Sequence, residues 1–500
     1  METGVIVSLA VYFIGMLAIG FYAWRKSTDD ISGYLLGGRR LSPPVAALSA
    51  GASDMSGWLL MGLPGAMYVS GLSGSWIAVG LFAGALANYL VVAPRLRVHT
   101  ERAGDALTLP DFFEKRLDDR SRMLRVFSAL VIIVFFTLYT SAGVVAGGKL
   151  FEEAFGWDYS AGLWITAGVV VVYTLFGGFL AVSLTDFVQG TIMFAALLLV
   201  PVVAMMDLGG PGAVTAEVAR INPAMLGMIG ELSFVAIVSS LAWGLGYFGQ
   251  PHIIVRFMAV RSVRDIPAMR NIGMVWMLVT LLGALATGFI GVAYAARSGV
   301  SVADPETIFI VLSRALFHPL VIGFLLAALL AAIMSTISSQ LLVSSSSLTE
   351  DFYRMFIRRE ASQKELVTVG RISVLAVSLA AIFFAYDPES NILGLVGNAW
   401  AGFGAAFGPI VILSLTWKRL TRNGALAGMV LGAATVLFWI YAPVLEGGAA
   451  PSTLIYEMVP GFLVCGAAAI LVSLLGPPPP ESVVRTFEES DAERLAAGAR

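Results

Sequence analysis

The chain has 500 residues, of which 58% are hydrophobic and only 13% are charged, with a net charge of −2 and a mean hydropathy of +0.85. A soluble domain carries about 25% charged residues, so this composition excludes an ordinary soluble protein, and the small net charge excludes an electrostatic surface for nucleic acid. The single cysteine, Cys465, excludes an internal disulfide, and with only three histidines a zinc-type cluster is excluded as well.

Apolar runs near 20 residues long recur along the chain and predict an all-α membrane protein. They are too continuous for the alternating strands of a barrel. The first run has no small-residue cleavage site, so we expect it to be a retained helix. The sequence predicts about thirteen transmembrane helices, spans one to thirteen, at residues 4–24, 43–69, 74–94, 123–148, 160–180, 184–206, 232–258, 272–296, 318–348, 366–386, 391–415, 425–443 and 454–475.

Lysine and arginine alternate between the two sets of connections and so indicate the orientation. Basic residues cluster after spans one, three, seven, nine and eleven and in the carboxyl-terminal tail. The opposite connections hold little beyond Lys149, Arg220, Arg297 and Arg314. We therefore expect a multi-pass protein of the bilayer with its amino terminus outside and its carboxyl terminus inside.

Span two is interrupted at mid-depth by small, polar and glycine-bearing residues. It carries the carboxylate of Asp54, and a charge at the bilayer centre costs about 3 kcal/mol or more and marks an ion or substrate pathway. Irregular backbone survives at that depth only where it lines a protein cavity. We expect the first half-helix to end around Ala52 to Met55 and the second to begin around Ser56 to Trp58. The freed carbonyls suit a cation such as Na⁺, and the freed amides suit an anionic group of a substrate.

Span seven is also interrupted, because Gly244, Gly246 and Gly249 precede Pro251. These glycines alone favour close packing, but two broken helices five spans apart predict an inverted-repeat transporter. Spans two to six would form the first repeat (43–206) and spans seven to eleven the second (207–415). We expect the first helix and loop (1–42) and the last two spans (416–475) to be additions, and the tail (476–500) to be cytoplasmic and disordered.

Hydroxyl groups in span nine are candidates for completing an oxygen cage. Ser335 and Thr336 stand side by side in an otherwise apolar helix. The alternative is that such hydroxyls bond back to their own helix, and for this pair the sequence leaves both readings open. For Ser344 to Ser347, near the end of the span, bonding back to the helix is favoured.

Aromatic residues near the middle of their spans are candidates for a substrate wall: Trp58, Tyr139, Trp243, Tyr247 and Phe248. A ring can hold a small apolar substrate, and an indole or hydroxyl can orient its polar end. The alternative, an interfacial aromatic belt, suits Trp24 and Trp417 better.

These residues lie in strings that resemble the sodium/solute symporter family, and in particular its bacterial proline-transporting members. The strings are SAGASDMSGWLLMGLPGA, LTLPDFF, FFTLYTSAG, GGFLAVSLTDFVQ, WGLGYFGQPHI, AAIMSTISSQLLV and AWAGFGAAFGP. The resemblance extends from span one to span thirteen. It implies thirteen helices, a leucine-transporter-type inverted-repeat core with broken helices two and seven, a place in the bacterial cytoplasmic membrane, and sodium-coupled uptake of L-proline by alternating access.

The resemblance also implies roles for individual residues. It implies a Na⁺ site at backbone oxygens of Ala52, Met55 and Ala332 with the hydroxyls of Ser335 and Thr336, and a sodium-coupling role for Asp54. It places substrate binding at Ser49, Ser56, Gly57, Trp58, Tyr139, Trp243, Tyr247 and Pro251, and less defined cytoplasmic-side roles at Arg39 and Arg371. No obligate protein partner is implied.

The alternatives differ in what the chain would have to contain. Within the family, a sugar, sialic acid or carboxylic acid could be the solute, but a sugar site would hold more amides and acids than this aromatic, small-residue cavity. A transporter-like sensor needs a signalling domain, and about 25 residues after span thirteen are too few. An enzyme is disfavoured because no nucleophile–base pair stands out, and a channel because no filter motif does.

Overall fold

The computed structural model describes residues 2–26, 31–229 and 232–498. In this part of the chain the fold is all-α, and the β pairing amounts to one isolated bridge between Leu41 and Val260. The first half contains α1 (Thr3–Lys26), α2 (Ile31–Leu36), α3 (Pro43–Asp54), α4 (Leu63–Ser70), α5 (Trp76–Val91), α6 (Ala93–Arg102), α7 (Leu109–Arg116), α8 (Met123–Phe155), α9 (Tyr159–Asp207) and α10 (Pro211–Ile221).

The second half contains α11 (Phe234–Leu241), α12 (Pro251–Ala259), α13 (Ile266–Ser298), α14 (Ile308–Leu316), α15 (Pro319–Ser346), α16 (Gln363–Phe384), α17 (Ile392–Thr416), α18 (Arg422–Tyr441), α19 (Met458–Leu475) and α20 (Glu481–Ala496). A π-helical segment, Ser347–Ile357, continues α15.

Ten helices in the described residues are long and apolar enough to cross a membrane. Spans five and seven correspond to shorter apolar helices, Tyr159–Val172 and Phe234–Gly249. Span two is divided between α3 and the apolar stretch Trp58–Val91. Spans five and six run together in α9 and are separated by a kink at Gly178, where φ is 60° and ψ is −167°. A backbone with this positive φ suits glycine, because a side chain would clash there.

Both predicted interruptions are present, so the predicted architecture with broken helices two and seven is confirmed. Span two breaks at Met55 and Ser56, between α3 and a π turn at Trp58–Gly62. Span seven tightens into a 3₁₀ segment, Ala242–Gly249, and restarts at Pro251. Proline is well tolerated at the first position of a helix, because the N–H that it lacks would have no partner there.

The tail forms a docked helix, α20, in place of the disorder that its polar composition predicted. The ring of Phe487 lies 5.4 Å from that of His99 on α6 and 5.0 Å from the Arg116 guanidinium. Val483, Ser490 and Arg494 are buried on the same face. These positions follow a helical period, so a narrow packing stripe lies within a polar sequence.

Ion pairs add to this docking in the middle of α20 and near its carboxyl-terminal end. Arg102 Nε lies 2.5 Å from Glu493 Oε2, and Lys418 Nζ lies 2.8 Å from Glu488 Oε1. Both pairs are exposed and contribute little stability. Contact with α6 places the tail on the same side of the bundle as the arginines of α6.

Acid should loosen α20. Burial, and secondly the charge of Arg116, lower the pKa of His99 from its ordinary 6.5 to about 3. When α20 detaches, His99 becomes hydrated and its pKa returns towards 6.5. Between pH 6.5 and about 3, His99 therefore binds a proton in the detached state but not in the docked state. Docking of α20 weakens as the pH falls below about 6.5. We expect deuterium uptake by residues 481–496, corrected for intrinsic exchange, to rise about tenfold from pH 7.5 to pH 5. His99→Phe, which cannot titrate, should show no such rise; equal behaviour of both proteins would contradict the assignment.

Candidate functional site

The break in span two frees backbone carbonyls that receive side-chain donors from other helices. The carbonyl of Asp54 accepts hydrogen bonds from the Trp58 indole at 3.1 Å and from the Tyr139 hydroxyl at 3.2 Å. The carbonyl of Ala52 accepts from the Ser335 hydroxyl at 2.7 Å and from the Thr336 hydroxyl at 3.4 Å. The end of α3 is therefore held by α8 on one side and by α15 on the other.

The oxygens around Ala52 form a compact uncharged cluster. Besides Ala52, the Ser335 hydroxyl reaches the carbonyl of Ala332 at 3.1 Å, and all four residues that supply these oxygens are at most 2% exposed. Met55 adjoins the cluster along the chain, and its sulfur receives the Thr280 hydroxyl at 3.8 Å. The geometry thus brings together four of the five residues that the sequence analysis assigned to sodium. Among the described residues there is no group of three or more His, Cys, Asp or Glu side chains suited to a metal.

Asp54 joins the two broken helices. Its Oδ2 accepts a hydrogen bond from the Tyr247 hydroxyl at 2.5 Å, and the side chain is 2% exposed. Its Oδ1 is buried and has no hydrogen-bond partner among the described residues. A carboxylate in this position needs pairing or hydration.

The second break is fastened to α17 by two tryptophan contacts. The Trp400 indole donates to the carbonyl of Trp243 at 2.7 Å, and the Gln250 amide donates to the carbonyl of Trp400 at 3.2 Å. Gly246 lies directly against the Trp400 indole, where a Cβ would come within 1.9 Å of Nε1. That glycine is therefore required for the close approach. Trp400 and Gln250 were not among the predicted site residues, because their hydrogen-bond partners lie far away in the sequence.

The predicted aromatic residues fall into two groups. Trp58, Tyr139 and Tyr247 meet at Asp54, and the Tyr139 ring also lies 5.9 Å from that of His252. Trp243 stacks on Tyr456, with 5.4 Å between ring centroids and 15° between planes. The edge contact of Tyr247 with Trp400, at 5.0 Å, connects the groups. Phe248 is half-buried next to them.

Two small residues, Ser56 and Gly57, allow the backbone to adopt its path through the first break. The Ser56 hydroxyl accepts from the Trp58 amide at 3.4 Å. Gly57 lets the chain pass close to α8, because a Cβ there would lie 2.8 Å from that of Ala146. Pro251 is buried at the first position of α12, on the other side of the second break.

Ser49 does not join the aromatic group. It lies in α3, more than one helical turn before Asp54, and contacts both members of a buried ion pair. Its hydroxyl donates to Asp186 Oδ2 at 2.7 Å and accepts from Arg256 Nε at 3.1 Å. Arg256 Nη2 lies 3.1 Å from the same Asp186 oxygen and 2.7 Å from the Ser339 hydroxyl. Both charged side chains are at most 1% exposed.

The sequence analysis did not single out Asp186 and Arg256. Each lies near the end of a predicted span, where a charge is unremarkable because it can reach water. The available signal was that charges within apolar segments are rare and usually paired. Their pairing depends on the packing of α9, α12 and α3, which the sequence does not display.

Arg39 and Arg371 do not join the groups at the two breaks, and each bonds to another segment of the chain. Arg39 pairs with Asp105 at 2.8 Å and donates to the carbonyls of Ala106 and Met258, both at 2.8 Å. It thereby ties the loop after α2 to the end of α12. Arg371 Nε donates to the carbonyl of Leu175 on α9 at 3.1 Å.

Comparison of the sequence with known families and proteins gives strong matches. Residues 34–432 match the sequence profile of the sodium:solute symporter family. The Osmoregulated proline transporter OpuE of Bacillus subtilis is 58% identical, covering 97% of this chain and 98% of that protein. The High-affinity proline transporter PutP of the same organism is 56% identical, covering 95% and 98%. A Sodium/proline symporter of Staphylococcus aureus is 55% identical, covering 98% and 95%.

Solved structures share the fold at low identity. A Na⁺-coupled sialic acid symporter, in a substrate-bound outward-open state, superposes with a TM-score of 0.80 at 18% identity, covering 96% of this chain and 99% of that one. Mhp1, a nucleobase-cation-symport-1 family transporter, gives a TM-score of 0.54 at 15% identity, covering 91% and 98%. The leucine-transporter type of inverted-repeat core, which the family resemblance implied, is confirmed.

Removing one member of the buried ion pair should destabilise the protein strongly. Asp186→Leu leaves the Arg256 charge buried without its counter-ion, which costs about 3–5 kcal/mol. Asp186→Leu combined with Arg256→Met removes both charges and should restore most of the melting temperature measured in detergent. If the single variant melts like the parent protein, or the double variant melts no higher than the single one, the pair does not behave as a buried ion pair.

Proposed function

The chain belongs to the sodium:solute symporter family, and we propose that the breaks in spans two and seven are where it binds and couples its two solutes. The protein is a secondary active transporter that takes up L-proline together with Na⁺ by alternating access. The observation that carries the site assignment is the convergence of Ala52, Ala332, Ser335 and Thr336 oxygens beside Asp54.

The Na⁺ site is assigned to the oxygens around the end of α3. Carbonyls at the end of a half-helix suit a cation, because they carry the negative end of the helix dipole. A hydroxyl can rotate to present a lone pair in place of its hydrogen, so the short contacts of Ser335 and Thr336 to Ala52 suit cation binding as well. Bound Na⁺ would then join α3 to α15 across the break.

L-Proline is assigned to the other side of the break. Its carboxylate fits the amides near Ser56 to Trp58, where a half-helix starts and its dipole is positive. Its three-methylene ring fits the aromatic faces of Tyr139, Tyr247 and Trp243. The rest of the candidate set assigned to substrate consists of Gly57 and Pro251, which shape the two breaks, while the contacts of Ser49 support a role in the ion pair.

Coupling follows from the bond between Tyr247 and Asp54. Bound Na⁺ orders the end of α3. Because the Asp54 carboxylate there accepts a hydrogen bond from Tyr247, the segment Ala242–Gly249, against which the substrate ring rests, becomes ordered as well. Binding of Na⁺ or of proline thus lowers the free-energy cost of ordering the site for the other solute. This reduction is the coupling free energy between the two sites.

The orientation rests on the basic connections. The arginines of α6 and the tail helix α20 lie on one side of the bundle, in mutual contact, and an excess of Lys and Arg is typical of the cytoplasmic side. The amino terminus is then outside and the carboxyl terminus inside. The division into repeats 43–206 and 207–415 is supported by the two broken helices, which lie five spans apart.

Transport by purified protein in proteoliposomes tests this function. Radiolabelled L-proline should accumulate under an inward Na⁺ gradient and only equilibrate without one. A four-membered imino acid should compete, whereas glucose should not. Competition by sugars or sialic acid with no effect of imino acids would mean that the solute is a different one.

Removing the two hydroxyls should impair the use of Na⁺. Ser335→Ala with Thr336→Ala takes two oxygens from the proposed cage, so the Na⁺ concentration for half-maximal uptake should rise at least about tenfold, about 1.4 kcal/mol. A matched control is Ser345→Ala with Ser346→Ala on the same helix, whose hydroxyls bond to carbonyls of Gly370 and Leu342. An unshifted Na⁺ dependence in the first double variant would refute the cage.

Removing the Trp243 ring should impair substrate binding more than Na⁺ binding. Loss of a buried aromatic wall costs about 2 kcal/mol, so Trp243→Ala should raise the KM for proline about thirtyfold. Trp164→Ala, which removes a ring that is 47% exposed, is the control. Equal shifts in the Na⁺ and proline dependences of Trp243→Ala would speak against a substrate wall.

A further inference from the structure

A small cavity lies next to Asp54, and two of the residues that line it, Met55 and Tyr247, also belong to the proposed Na⁺ and proline sites. Its walls come from α3, α5, the two halves of span seven and α13, and include Asp54, Asn88, Tyr89, Tyr247 and Gly273. The hydroxyls of the proposed Na⁺ cage belong to α15, which is not among the lining elements. The space open to water in the cavity is about 30 Å³.

Buried polar atoms without partners converge on this cavity. Asp54 Oδ1 and both polar atoms of the Asn88 side chain, Oδ1 and Nδ2, have no hydrogen bond within the described residues. Asp54 is 2% exposed and Asn88 is 1% exposed, so bulk water does not provide hydrogen-bond partners for their side chains. The Tyr89 hydroxyl lies at the Gly273 wall, where a Cβ would come within 2.8 Å of its oxygen. Glycine at 273 therefore keeps room for a polar group.

An arrangement of this kind is unstable when dry. A buried polar group without a partner costs about 1–3 kcal/mol, and more when it is charged. Cavities that stay dry are apolar, whereas a polar cavity with at least about 10–15 Å³ of room and two to four partners holds water. Most of the wall of this cavity is apolar, but the cavity has room for one or two water molecules. It also offers the partners that a water molecule needs: acceptors on Asp54 and Asn88, a donor on Asn88 and a hydroxyl on Tyr89.

We propose that this cavity holds ordered water that bridges Asp54 Oδ1 to the side-chain amide of Asn88, and that Asn88 is a positioning residue for the Asp54 carboxylate. The Tyr247 hydroxyl holds Oδ2, and the water held by Asn88 and Tyr89 holds Oδ1. The two oxygens are thereby fixed from opposite sides. The presence of water follows from the cavity alone, whereas its effect on Na⁺ use rests on the proposed function.

The consequence for transport is specific. Water at Oδ1 keeps the carboxylate oriented at the end of α3, where it favours a nearby cation. Without the water, Oδ1 has no hydrogen-bond partner among the described residues to hold that orientation. Loss of Asn88 should therefore weaken the response to Na⁺ and leave the proline wall intact.

The experiment compares three variants with the parent protein in Na⁺-driven proline uptake. Asn88→Leu replaces the amide with an apolar side chain of similar size and should raise the half-saturating Na⁺ concentration at least about fivefold, about 1 kcal/mol. The proline KM at saturating Na⁺ should stay within about twofold of the parent value. Asn88→Ser, which keeps a hydroxyl and leaves room for water, should restore most of the Na⁺ response. Tyr89→Phe should shift the Na⁺ dependence in the same direction by less.

Two controls remove a buried side-chain hydroxyl elsewhere in the protein. Thr287→Val loses a hydroxyl that bonds to its own helix at Gly283, and Tyr159→Phe loses one that bonds to Ala385. Neither residue lines the cavity, so neither should shift the Na⁺ dependence. A normal Na⁺ response in Asn88→Leu overturns the positioning role while the proposed function stands.

A density map that resolves water decides the occupant without any transport assay. We expect a water at about 2.7–3.2 Å from both Asp54 Oδ1 and the Asn88 amide in the parent protein. A dry cavity, or a metal ion in place of water, overturns the proposal. Absence of Na⁺-driven proline uptake in the parent protein would instead count against the proposed function, and the map would still decide the water. The map also settles the question if Asn88→Leu fails to fold.

Discussion

Backbone carbonyls freed inside an apolar bundle must find donors within the protein, because hydrocarbon offers none. At the end of α3 those donors are the side chains of Trp58, Tyr139, Ser335 and Thr336, which come from three different stretches of the chain. The break is therefore stable only when α8 and α15 pack against it. The groups that satisfy the break are also groups that can bind a cation or an anionic solute, and the proposed site rests on this double capacity.

Two buried carboxylates, Asp186 in α9 and Asp54 in α3, have partners of different kinds. Asp186 has a full counter-ion in Arg256, supported by the hydroxyls of Ser49 and Ser339. The Asp54 carboxylate accepts a hydrogen bond from the neutral hydroxyl of Tyr247, and its other oxygen has no partner among the described residues. A neutralised pair suits a structural contact between α9 and α12, whereas a carboxylate without a counter-ion retains attraction for a mobile cation.

The comparisons separate fold from chemistry. Relatives at 55–58% identity extend over nearly the whole chain, while a solved symporter at 18% identity has the same helical arrangement with a TM-score of 0.80. The shared arrangement requires only the two breaks and the packing around them. Solute choice depends on the side chains of a binding site, so a distant structural match identifies the fold alone.

Local chemistry was enough to predict the spans, both breaks and the hydroxyl pair, because hydropathy, glycine and proline act over a few residues. The same information did not pair Asp186 with Arg256, connect Trp400 to Trp243, or move Ser49 away from the aromatic group. Those contacts join positions 70 to 157 residues apart and exist only after the helices pack. The tail helix is the clearest case: its buried stripe of Val483, Ser490 and Arg494 is meaningful only once α6 and α7 supply His99 and Arg116 as its partners.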